Sequence, residues 1–168
     1  MDKIPPKIYK KLTENAQESL KFAKQIAKKE IHVFHLLVAS VSQKGSLARN
    51  LVEAKGVKIK NLTNLKPKNE KQVGSFRTHF KDALKKAAKQ AALSNQAYVG
   101  TEHLLYGALK EVVDQKKSIP KKYNKYFYPP IDHHKQKEIL SHLEEILKKP
   151  ILFNEFDLQL GQVLMSLG

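Results

Sequence analysis

Sliding this 168-residue chain along itself by 68 positions lays one stretch over another. His35 falls on His103, Leu36 on Leu104, Leu37 on Leu105, Ala23 on Ala91, Lys21 on Lys89 and Ile31 on Val99. A match of this kind marks one supersecondary unit written twice, and such a unit does not cover its own apolar face alone. Two copies are therefore expected to pack together with pseudo-two-fold symmetry and to leave a groove between them.

The periodicity within each copy is helical. Residues 13–29 carry Ala16, Leu20, Ala23 and Ile26 on one face, with Thr13 placed to cap the start. A short link leads to a helix over 33–43 with Phe34, Leu36, Leu37, Val38 and Val41. Ser46 is positioned to cap a third helix over 47–55, which stops at Gly56, and a short segment follows over 57–65. The pattern returns over 80–95 with Phe80, Leu84, Ala87 and Ala91, then the link Tyr98-Val99-Gly100, then a helix capped by Thr101. That helix runs through Leu104, Leu105 and Leu109 to about 113. Later residues depart from the first copy: a Tyr-rich loop over 123–130, a helix over 133–149 opened by Asp132, and a last helix over 154–166. The expected fold is all-α, a pseudo-two-fold double repeat of helix bundles with about eight helices. It is expected as a single domain over 1–168, with repeat 1 at about 10–66, a linker at 67–76, and repeat 2 at about 77–168, divergent after 115.

Composition narrows the function. The chain has no cysteine, which excludes disulfides, thiolate metal sites and a Cys nucleophile and fits a reducing cytoplasm. Its first residues lack the order of a signal peptide, and no apolar run approaches a membrane span. The net charge of +15 favours anionic partners, so a basic helical nucleic-acid-binding protein is the alternative reading. Arg49 and Arg77 are the only arginines, however, and lysine spread along helices reads equally as a solvated face. Tyr123, Tyr126, Phe127 and Tyr128 interleave with Lys121, Lys122 and Lys125. These aromatics either stack bases or pin a loop to the core. No P-loop, nucleophile elbow or H-E-x-x-H motif is present, so no enzyme is expected, and no cofactor or metal. His32 with His35, and His133 with His134, lack a further ligand at metal spacing. His35 and His103, flanked by apolar residues, read either as titrating switches or as core histidines bonded to the backbone.

Tyr98-Val99-Gly100-Thr101-Glu102-His103-Leu104-Leu105-Tyr106-Gly107 resembles the Y-I-G-T-E-H-L-L-x-G signature of the Clp amino-terminal repeat domain, which precedes the ATPase modules of Clp-type unfoldases. A degraded copy, Ile31-His32-Val33-Phe34-His35-Leu36-Leu37, stands in the first repeat. Residues 45–57 are similar to the family's third helix and turn, and the resemblance covers about 10–114. It implies a bundle of about eight helices that docks protein substrates and adaptors and, in some members, phosphorylated arginine held by an acidic residue of each signature. On this basis the expected client or adaptor site comprises Thr101 and Glu102, with Val33 and Phe34 at the matching places of repeat 1. Glu102 suits a guanidinium, and Thr101 with the helix-start N–H groups suits a phosphoryl group. Phe34 cannot replace a carboxylate, so phosphoarginine binding is expected at one site of two, with an apolar contact at the other.

Overall fold

The computed structural model describes residues 4–27, 30–60 and 79–148. The expected linker at 67–76 and last helix at 154–166 lie outside the described residues, as does most of 57–65. Within them the chain forms eight helices: α1 (Pro6–Tyr9), α2 (Glu14–Ile26), α3 (Val33–Ser40), α4 (Leu47–Ala54), α5 (His79–Leu93), α6 (Thr101–Asp114), α7 (Lys121–Asn124) and α8 (His133–Lys148). Two short strands, β1 (Lys58–Ile59) and β2 (Phe127–Tyr128), pair antiparallel, Lys58 opposite Tyr128 and Ile59 opposite Phe127. The all-α double repeat is the fold observed, with this ribbon as an addition that periodicity does not predict.

Local chemistry sets the helix ends. The Thr13 hydroxyl accepts from the Ala16 N–H at 3.2 Å, and the Ser46 hydroxyl accepts from the Arg49 N–H at 3.3 Å, so both expected caps form. Asp132 Oδ1 accepts from the Lys135 N–H at 2.7 Å and opens α8. Gly56, with φ of +81°, supplies the left-handed turn after α4 that a side chain would strain.

The two copies meet through α3 and α6, with α2 on α3, α5 on α6, and α4 and α8 also against α6. All eight residues of α3 are buried, which suits a helix that is apolar on every side. By contrast α2 and α5 are amphipathic, burying Ala16, Leu20, Ala23 and Ile26 in one case and Phe80, Ala83, Leu84, Ala87 and Ala91 in the other. Small residues let α5 approach α6 closely. A Cβ on Gly107 would collide with the Ala83 carbonyl oxygen, so this position of α6 needs glycine. The chain before α2 is stitched to the link before α6. The Thr13 N–H donates to the Val99 carbonyl at 3.0 Å, and the Val99 N–H to the Lys11 carbonyl at 2.7 Å. The start of repeat 1 is thereby anchored on the signature of repeat 2.

Candidate functional site

The helix starts of α3 and α6 are built alike. His32 is the N-cap of α3 and Gly100 the N-cap of α6, at the offset of 68 seen in the sequence. Each cap N–H is taken by a histidine three residues on. His35 Nδ1 accepts from His32 N–H at 2.9 Å, and His103 Nδ1 accepts from Gly100 N–H at 3.0 Å. An imidazole here does the work of the Glu or Gln in a capping box. Because Nδ1 is the acceptor, each ring carries its proton on Nε2. Both histidines are buried, so the core reading of this pair holds.

The two sites diverge beyond the caps. In repeat 1, His35 Nε2 donates to the Tyr123 hydroxyl at 2.7 Å, and the Phe34 ring stacks on Tyr123 with centroids 6.1 Å apart. Burial pushes the His35 pKa from 6.5 down to about 3, with the positive charges of His32 and Lys122 adding to it. Val33 and Phe34 are only 4% and 3% exposed. Together with His79, Glu111 and Val112 they line a crevice of about 10 Å³, the space of roughly one water. Both are thus buried, and Phe34 makes its apolar ring contact with Tyr123 of the same chain.

In repeat 2, Thr101 is misread by local reasoning. Gly100, not Thr101, is the N-cap of α6. The Thr101 hydroxyl instead accepts from the Ala48 N–H of α4 at 3.3 Å, across 53 residues. Thr101 is 3% exposed, so its hydroxyl joins the repeats and does not face a phosphoryl ligand. Glu102 alone of the four expected residues keeps an accessible edge, with its side chain 16% exposed. Its carboxylate folds back over Gly100: a Cβ there would come within 2.5 Å of both oxygens. This places negative charge over the first turn of α6, where the helix dipole favours it by about 0.3–1 kcal/mol. No Lys or Arg pairs with Glu102 among the described residues, although the chain carries a net +15. Tyr98, two residues before the N-cap, is 64% exposed beside it in sequence.

The Tyr-rich loop resolves toward the core. Tyr123 and Phe127 are buried and Tyr126 is partly buried, while Tyr128 stays exposed. Lysines already lie over the rings, Lys60 on Tyr128, Lys122 on Tyr123 and Lys125 on Tyr126 at 4.8–5.2 Å. This arrangement offers no row of open stacking faces for bases. A hollow of about 420 Å³ is lined by Gln90, Leu93, Ser94, Tyr106, Glu144 and Leu147. It opens among α5, α6 and α8, whereas the small crevice beside Val33 and Phe34 lies between the two repeats. One cluster that sequence spacing misses joins His79 and Asp82 of α5 to Glu111 of α6. Glu111 lies too far along the chain from the other two for any motif. No described helix is long and apolar enough to cross a membrane.

A family model, the Clp repeat (R) N-terminal domain, matches residues 11–119, more than half of the chain. Among solved structures the chain is similar to the N-terminal domain of the caseinolytic protease associated chaperone ClpD from Arabidopsis thaliana. The identity is 16% over 88% of this chain and 96% of that one, with a TM-score of 0.41. No curated protein matches the chain.

Proposed function

Since the chain belongs to the Clp repeat (R) N-terminal domain family, we propose that it docks protein clients or adaptors for a Clp-type ATP-dependent chaperone or protease system, through the start of α6. ATP-driven work would come from modules that this sequence does not contain, since it has no P-loop. The domain contributes binding, with both repeats acting as one unit in a reducing cytoplasm.

The observation that carries the reading is that Glu102 has no Lys or Arg ion-pair partner among the described residues, its Oε1 lying 3.2 Å from Nδ1 of the buried His103 ring. A carboxylate left without a Lys or Arg partner on so basic a chain is open to a cation from another molecule, and a guanidinium fits it bidentately. Gly100 leaves room for the carboxylate to lie over the helix start, where N–H groups and the dipole attract the anionic half of a phosphorylated arginine. Repeat 1 has no counterpart, because Tyr123 fills the corresponding place against Phe34. A single site per chain follows.

Calorimetric titration with an arginine-phosphorylated peptide, its unphosphorylated form and a cognate adaptor or Clp unfoldase tests this. The phosphorylated peptide is expected to bind at one site. Glu102→Gln is expected to weaken it by about tenfold or more, the loss of a charge-assisted hydrogen bond of about 1.5–3 kcal/mol. Binding to none of these partners, or equal binding by Glu102→Gln, would sink the proposal.

A further inference from the structure

Where α5 meets α6, His79, Asp82 and Glu111 bring one ring nitrogen and two carboxylates together, with their ligand atoms all within 4.8 Å of one another. We propose that these three side chains form a binding site for a borderline divalent cation, and that Zn²⁺ is the ion they fit.

His79 and Asp82 stand three residues apart on the first turn of α5 and so share a face. Glu111 reaches toward them from α6 with its side chain only 2% exposed. A carboxylate so buried needs positive partners on both oxygens. Oε2 has one: the Lys86 ammonium lies 2.5 Å away and also holds Asp114 at 2.7 Å. Oε1 lies 2.6 Å from His79 Nδ1 and also accepts from Gln115 Nε2–H at 3.3 Å. When the ion binds, the neutral ring presents its Nδ1 lone pair with its hydrogen on Nε2, Oε1 turns to the ion beside it, and Lys86 keeps Oε2. Asp82 is exposed and makes no ion pair among the described residues, so it is free to swing in as the third ligand. Water completes a tetrahedron, the pattern of zinc sites with three protein ligands.

Asp82, Glu111 and Asp114 carry three negative charges, balanced by Lys86, by Lys110, 3.4 Å from Asp114, and by Lys117, which lines the crevice beside His79 and Glu111. The imidazole ligand selects borderline ions over Mg²⁺ and Ca²⁺, which prefer all-oxygen sets. An ion bound here clamps α5 to α6 within repeat 2, and none of its ligands belongs to the Glu102 site.

The test uses the untagged full chain, stripped with chelator and titrated with ZnCl₂ by calorimetry. One Zn²⁺ per chain is expected, with a raised melting temperature and no response to Mg²⁺ at the same concentration. Asp82→Asn, at an exposed position that leaves the fold intact, and His79→Gln are each expected to weaken Zn²⁺ binding by at least about tenfold. A variant with His133→Gln and His134→Gln is expected to bind as the parent does. Absence of saturable Zn²⁺ binding, unchanged affinity in both Asp82→Asn and His79→Gln, or loss of binding with the His133/His134 pair would overturn the site.

Discussion

Acidification from pH 8 to pH 5 should destabilise this domain chiefly through one ring, His35. In the folded chain its Nδ1 is committed to the His32 N–H and its Nε2–H to Tyr123, in a buried place that holds the pKa at about 3 against 6.5 for a free histidine. The folded state therefore keeps His35 neutral while the unfolded chain takes up a proton below pH 6.5. With a depressed folded pKa, the stabilisation is full above 6.5 and is lost as pH falls toward 3. Each unit of pH across that window removes up to about 1.4 kcal/mol, so His35 accounts for about 2 kcal/mol by pH 5 and about 5 kcal/mol below pH 3. That is a large part of the ~5–15 kcal/mol typical of a domain. Urea unfolding followed by circular dichroism over this range measures the slope. His35→Asn keeps an acceptor near the His32 N–H but does not titrate. It should be less stable at pH 8 and lose about 2 kcal/mol less than the parent on going to pH 5. An equal loss in both proteins, or a His35 ring that titrates near pH 6 by NMR in the folded protein, would refute the reasoning.

Two further substitutions probe how the repeats are joined. Gly107→Ala drives a methyl into the Ala83 carbonyl on α5, a clash with backbone that no rotamer relieves; urea unfolding should show a loss of about 1–3 kcal/mol. Thr101→Val keeps the shape but leaves the buried Ala48 N–H without its acceptor. The expected loss is about 1–3 kcal/mol, with faster hydrogen exchange at Ala48 as the specific sign, while peptide binding at Glu102 persists.

The helical framework is legible in the sequence because long amphipathic helices repeat their apolar residues at a fixed spacing, and because the offset of 68 pairs His35 with His103 from residue identities alone. The offset holds down to the atoms, in the matching Nδ1 contacts of those two rings. What escapes such reading is either too short or too distant. Four-residue helices such as α1 and α7, and two-residue strands, contain no period to detect. Capping is a local rule and so assigns the Thr101 hydroxyl to its own helix, whereas its donor lies 53 residues away. Phe34 is legible as a missing acid, but its occupant is not, since Tyr123 comes from the divergent stretch, with its hydroxyl on His35 across 88 residues. His79 and Asp82 form no motif because Glu111 completes the set only when α5 and α6 pack.

The central claim is that binding belongs to the second signature and not to the first. Backbone amide chemical shifts of the labelled chain, followed while an arginine-phosphorylated peptide is added, test it most directly. Progressive shifts are expected at Gly100, Thr101, Glu102 and His103, with His32, Val33, Phe34 and His35 unmoved because Tyr123 already packs on Phe34 and His35. Shifts of similar size at both helix starts, or shifts confined to residues 32–35, would contradict it.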